Sequence, residues 1–447
     1  MSARRSLRSL RPPLNPVRLS EPRRITTKTA QQRLSRFERI DAARTTVPAV
    51  TLRHGIPMVA IPGPSVMPER VLAAFRLPMP NIYEGELLDV AGEVFARLPA
   101  VADTAGHAFV SIGNGHSGWQ MAAVNTLSRG DKVLVLESGR FPAVWGLFLE
   151  RSGIEVETLP ATPRLPVDPD AVAARLAAGP ADEFAAVLAV HVDTAISVRN
   201  DIEAIGRSIA ASGSSALFVV DCIASMACDE FHMDAWGVDI TIAASQKGLM
   251  TPPGLGIVWA NERAIERGRN ADLRDGYFDW QARLEGEQIY QQFSGTPPVS
   301  HLFALREALR MIDEETLAVR WHRHRVLGDA VRSAVLTWET PGGVELLIRE
   351  LGAQADCVTT VMTPHVDALA LASVCENTAG LTIGLGVMDH TGSFRIGHMG
   401  HVNPPALLGA LGTIEAGLRV VGAPLGGSGV ASAAEVIAEA MATQPHA

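Results

Sequence analysis

Aromatic residues are scarce, at 5% of 447 residues with three tyrosines, so the core must be built mainly from aliphatic side chains. Cysteine is scarcer still. Cys222, Cys228, Cys357 and Cys375 form no C-x-x-C pair. That spacing excludes a disulfide framework and a zinc ribbon, and it fits a reducing, cytoplasmic setting. No run approaches the ~18 uninterrupted apolar residues of a membrane span. No internal repeat is present, which excludes a solenoid. The net charge of −9 gives no positive field for nucleic acid. No clustered metal-ligand spacing occurs either, so no metal is expected.

What is present is 47% apolar residues in a chain long enough for two domains. Residues 1–47 stand apart. Eleven arginines and Lys28 against Glu21, Glu38 and Asp41 give this arm +9, which leaves about −18 on the other 400 residues. Four prolines and the lack of an apolar face predict a loosely attached tail. Its Arg-rich, acid-poor composition also matches organelle transit peptides, the alternative to a cytoplasmic location.

Beyond the arm, short apolar runs alternate with helical patterns. Strands are predicted at 108–112, 132–136, 154–159, 185–191, 216–221, 239–243 and 255–259. Helices are predicted at 116–127, 144–151, 169–178 and 201–211. Near-continuous apolar strands between helices predict an α/β fold, with a mainly parallel sheet covered on both faces. From about residue 298 long helices dominate, with one strand at 393–396 and a helix at 404–420. The expected division is an arm at 1–47, a large domain at 48–308 and a smaller α+β domain at 309–447.

Parallel sheets bind ligands beyond the carboxyl ends of their strands. After 108–112 come Gly113, Asn114, Gly115 and His116, leading straight into a helix. Such a turn suits an anion, through free N–H groups and the helix dipole, although by itself such a sequence is more often just a tight turn. The run 216–221 closes on Asp221, an acid awkward to bury unpaired. It would cap a turn or hold a protonated ring nitrogen. The run 239–243 leads to Gln246 and Lys247 among small residues, ahead of a Pro-Gly turn. A desolvated lysine there becomes a nucleophile for carbonyl groups. Anion cradle, buried acid and amine at neighbouring strand ends are the groups that a phosphorylated pyridine aldehyde requires.

With these motifs the chain resembles the class V, fold type I, pyridoxal 5′-phosphate (PLP) aminotransferases of the serine–glyoxylate and alanine–glyoxylate group. The resemblance spans roughly residues 56–435. It is carried by Pro62-Gly63-Pro64, by Gly115 to Trp119 followed by Asn125 to Lys132, and by His191-Val192-Asp193-Thr194. Asp221 lies 26 residues before Lys247, and Gly295-Thr296-Pro297-Pro298 and Arg395 to Gly400 complete the series. The resemblance implies a seven-stranded sheet and transfer of an amino group from a small amino acid to a small 2-oxo acid. It implies that Lys247 forms the Schiff base and shuttles the Cα proton. Asp221 would hold the pyridinium proton, Thr194 would bond the 3′-oxygen, and Phe141 would stack on the ring. Asn114, Gly115, His116 and Gln246 would hold the phosphate, joined by Thr296 from a neighbouring subunit. The active unit would then be a homodimer or a tetramer of shared sites. Arg395 would clamp the substrate carboxylate bidentately, near the Gly63 N–H. The pocket that selects the substrate side chain is expected to draw on segments 79–83 and 275–285. Trp119 is read as helix packing and His398 as structural.

Three departures stand out. Asp193-Thr194-Ala195-Ile196-Ser197 lacks the family's glycine and second hydroxyl, which predicts a different loop shape near the 3′-oxygen. Phe293 replaces a tyrosine that would touch the neighbour's phosphate. Gln120 replaces a glutamate. The competing reading is a cysteine desulfurase with Cys375, 20 residues before Arg395, as the sulfur carrier. Phe141 and Gln246 stand where desulfurases usually have histidines, and 367–374 reads as an apolar helix face. A PLP-binding regulator is the third reading, with the basic arm as its only candidate nucleic-acid contact.

Overall fold

The computed structural model describes residues 51–443. The basic arm at 1–47 lies outside them, and with it every expectation about that segment.

Seven strands form the main sheet, in the spatial order His107–Ile112, Leu255–Ala260, Ile240–Ala244, Leu217–Asp221, Ala186–Val190, Lys132–Glu137 and Glu155–Pro160. Six are parallel. Leu255–Ala260 runs antiparallel to both neighbours, an orientation that apolar periodicity cannot encode. The central strands are rich in β-branched and small apolar residues and are buried along their whole length, because helices cover both faces. The covering helices carry ordinary start and stop signals. Helix Ile202–Ser212 begins where the Asp201 side chain accepts the Ala204 N–H at 2.8 Å, and it ends at Gly213 with φ +73°. It buries Ile202, Ile205 and Ile209 in the main core.

A second sheet runs Met58–Ala60, Leu381–Leu385, Ser393–Gly397, Val358–Met362 and Glu345–Leu346. Its first pair is parallel and the rest antiparallel. Helices Leu317–Trp338, Ala368–Ala379, Pro404–Val420 and Gly429–Ala442 contribute to its separate core around Trp338, Phe394, Ile396 and Leu411. The early strand Met58–Ala60 thus belongs to a sheet whose other strands lie beyond residue 340.

The strand after residue 190 continues into a small ribbon, Val192–Asp193 against Val198–Arg199. Its turn contains Ser197 at φ +66°, the left-handed region where the family pattern has glycine. Serine is thus held here in a conformation that favours glycine. The Ser197 hydroxyl meets that of Thr360 on the second sheet, a bond glycine could not make. No helix among the described residues is long and apolar enough to cross a membrane.

Candidate active site

The carboxyl ends of the parallel strands surround a cavity of about 200 Å³. Of the residues singled out from sequence, Asn114, Gly115, His116, Phe141, Thr194, Asp221, Gln246 and Lys247 all line it. Trp119, Ile223 and Ala224 line it too. Residues so distant in sequence meet because each follows a strand of the one sheet.

Asp221 ends its strand buried. Its Oδ1 accepts the Ile223 N–H at 2.7 Å and its Oδ2 accepts the Trp119 indole N–H at 2.7 Å. Burial pushes its carboxyl up to about 7, although both donors favour the ionised form. Trp119 is therefore more than helix packing. At 1% exposure it contacts the acid directly. Its position in a buried helix stripe reads as core, and no spacing rule marks an indole as a donor.

Lys247 stands three residues past Ile240–Ala244. Its Nζ donates to the Pro62 carbonyl, and Ser65 clasps the lysine segment through bonds to the Gln246 and Lys247 carbonyls at 2.8 and 2.7 Å. Burial lowers the amine to about 8, with the Arg395 cation acting in the same direction. The rate at which cofactor-free protein captures a pyridoxal aldehyde should therefore climb through about pH 8. An unperturbed lysine would place that climb near pH ~10.4. Stopped-flow absorbance would locate the midpoint, and a value near ~10 would contradict the burial argument.

Gly63 lies against this amine at φ +93°, where a Cβ would fall 2.8 Å from Lys247 Cε. Gly63→Ala is expected to cost about 1–3 kcal/mol in strain. The loss should appear as a lower Tm or weaker aldehyde capture, and wild-type values for both would refute the packing account.

Asn114 caps helix Gly115–Thr126, its Oδ1 accepting the His116 N–H at 3.0 Å. The Ser117 N–H is likewise used, by the Asn114 carbonyl at 2.9 Å. Among the described residues neither the Asn114 nor the Gly115 N–H has such a partner, which leaves both as free donors of this turn. Gly115 also admits the Ile223 side chain, since a Cβ would stand 2.8 Å from its Cγ1. Gln246 keeps its Oε1 buried and without a partner among the described residues.

Asp193 has a task that its sequence motif does not show. Its carboxylate accepts N–H bonds from Phe141 and Ala195, each 2.8 Å long. It thereby anchors both the helix that carries Phe141 and the turn that carries Thr194. The acid sits at the start of helix Arg140–Glu150, where a negative charge is favoured. Gly139 makes room, since a Cβ there would lie 2.6 Å from Asp193 Cγ.

Arg395 comes from the second sheet, on Ser393–Gly397. Its Nε donates to Leu385 O at 2.8 Å and its Nη1 to Thr194 O at 2.9 Å. These bonds hold the guanidinium beside the cavity, and among the described residues its Nη2 makes no hydrogen bond. Burial lowers it to about 10, opposed by Asp193.

Thr296 does not line the cavity; it is exposed on the surface of this chain. Phe293 is 1% exposed and packs on Phe95 with ring centroids 5.8 Å apart, so it serves this chain's own core. His398 is fully buried between Thr359 and the Asp356 carbonyl, a structural position. Segments 79–83 and 275–285 do not reach the cavity in this chain.

With this geometry stands a family match: the Aminotransferase class-V model covers residues 93–388. The chain belongs to the class V aminotransferases. This aminotransferase is 34% identical over 400 residues to the serine–glyoxylate aminotransferase of Methylorubrum extorquens, covering 88% of this chain and 98% of that protein. It is 33% identical over 389 residues to the L-aspartate–glyoxylate aminotransferase of Paracoccus denitrificans, covering 84% and 95%. Its fold is similar to that of pyridoxamine-pyruvate aminotransferase from Mesorhizobium loti, with a TM-score of 0.78 at 25% identity over 87% of this chain and 98% of that one. The expected fold type I α/β architecture is thus present.

The cofactor of this aminotransferase is pyridoxal 5′-phosphate, and the residues fit it. The cavity offers an amine, a buried carboxyl, the Gln246 amide, whose NH2 can donate, and free N–H groups at a helix start.

Proposed function

We propose that this aminotransferase moves the amino group of a small L-amino acid, serine or alanine in type, to a small 2-oxo acid such as glyoxylate or pyruvate. One observation carries the reading: Lys247 and Asp221 converge on one cavity, and the Arg395 guanidinium is fixed beside it. The similarity to glyoxylate aminotransferases over most of both chains supports it.

Bound PLP supplies an aldehyde for the amino group and a ring that accepts the electron pair released at the substrate Cα. The chain's residues do the rest. Lys247 would hold the aldehyde carbon and, as a free base, would take the substrate Cα proton. Its burial keeps a useful neutral fraction near neutral pH. Asp221 would hold a proton on the pyridine nitrogen, Thr194 would bond the 3′-oxygen, and Phe141 would cover the ring face. Asn114, Gly115, His116 and Gln246 would hold the phosphate, with the Asn114 and Gly115 N–H groups as its free backbone donors. Arg395 receives the substrate carboxylate, with Gly63 alongside.

Thr296 is exposed and remote from its own cavity, which supports a homodimer in which it completes the partner's phosphate site. Four buried, unpaired cysteines suit a cytoplasmic location.

A donor-by-acceptor screen tests the reading. L-serine or L-alanine should convert the bound cofactor to its amine form, and glyoxylate should restore it. Absence of turnover with every small amino acid and 2-oxo acid pair would overturn it. The desulfurase alternative is not favoured, because Cys375 lies fully buried on helix Ala368–Ala379, packed in the second core. Burial raises its thiol to about 11, unlike the accessible thiolate that sulfur transfer needs.

A further inference from the structure

An ionised carboxylate offers about four lone-pair sites. At Asp221 this chain fills two of them, with the Ile223 N–H on Oδ1 and the Trp119 indole on Oδ2. The Ile223 donor follows from the turn after the strand and would exist with any side chain there. The indole does not. It comes from a separate element, helix Gly115–Thr126, whose first turn faces the same cavity. Gly118 lets that helix lie close to the sheet, since a Cβ would stand 2.5 Å from Ile242 Cγ2. Two further rings hold the indole in place. Trp145 stacks on it at 5.4 Å and 11°, and His116 leans on it at 4.3 Å and 46°. Packing alone would be satisfied by phenylalanine or leucine, but neither carries a donor.

We propose that Trp119 is a positioning residue that acts through Asp221: its Nε1–H fixes the rotation of the carboxylate and favours the ionised form that pairs with the cofactor's pyridine nitrogen. This rests on the reading of Asp221 given above. The indole also joins the acid to the phosphate turn, because Trp119 and His116 share one helix and one ring contact. A shift of that helix would move both ends of the cofactor's seat together.

The test is a double-mutant cycle on PLP affinity, read by absorbance and fluorescence in cofactor-depleted protein. Trp119→Phe should raise the Kd roughly tenfold to a hundredfold, the range for a hydrogen bond to a charged group. The pH midpoint of binding should move upward, since a carboxylate stripped of a donor is more basic. In an Asp221→Asn background the same change should alter Kd less than twofold. Unchanged affinity in Trp119→Phe, or an equal loss in the Asp221→Asn background, would overturn the inference and leave the ring a packing element. Should Trp119→Phe fold poorly, 15N NMR of the seven indoles in otherwise unaltered protein reads the same contact. The Trp119 signal should shift with pH and lose that shift in Asp221→Asn, whereas the Trp338 indole, which donates to Glu415 at 3.0 Å, should respond alike in both proteins. No such signal would also overturn it. If wild-type protein took up no PLP, the reading of Asp221 itself would fall, whatever Trp119 did.

Discussion

Lys247→Ala should lower transamination by roughly 10⁴-fold, since it removes both the covalent anchor and the proton carrier. The fold should persist. The side chain is a buried amine that donates to the Pro62 carbonyl, and burial already disfavours its charge, so little stability rests on it. Circular dichroism and Tm near wild type, with turnover lost, are the expected pair of results. Borohydride should trap PLP on wild-type protein at this lysine and at no other, and should trap none on the variant. Turnover retained by Lys247→Ala, or an adduct mapped elsewhere, would refute the assignment.

Arg395→Ala should weaken amino- and oxo-acid binding by about 2–5 kcal/mol, as for a desolvated charge pair that loses one partner. That corresponds to a rise in KM of roughly 30- to 4,000-fold. Arg395→Lys should recover part of the loss, since it restores charge without the planar fork. The pattern across kcat and KM matters, because Arg395 also holds the Leu385 and Thr194 carbonyls. If those bonds were its whole purpose, Arg395→Ala would lower Tm and leave KM unchanged. That outcome would remove it from the substrate site.

The sheet is legible in the sequence because each buried strand is a short apolar run, and the site is legible because chemistry collects at strand ends. Lys247, Asp221 and Gly115 can be located from those two regularities. What stays hidden has physical reasons. The antiparallel course of Leu255–Ala260 leaves no mark in an apolar run buried on both faces. Helix Glu86–Ala102 begins at Gly85 without a side-chain cap and carries Pro99 in its last turns, so its start and stop signals are weak. Met58–Ala60 is three residues long, too short for any period to register. At the site, Trp119 and Asp193 are visible as residue types but not as partners. Their roles depend on distances of 2.7 and 2.8 Å between elements far apart in the chain. The left-handed backbone at Ser197 leaves no mark in the sequence, because serine does not signal a positive φ as glycine does.

The pairing of Met58–Ala60 with Leu381–Leu385 also sets an order on the birth of the enzyme. A ribosome adding about 5–20 residues per second needs roughly 16 to 64 s to travel from Ala60 to Leu381. Throughout that interval the nascent strand has no partner in its sheet. The main sheet and the residues lining the cavity are fully synthesised by residue 260, yet Arg395, which faces the substrate, is added only with the carboxyl-terminal quarter. Chains released early would therefore hold an intact sheet and an unfinished catalytic centre, a vulnerability that cofactor supplied during synthesis could not repair.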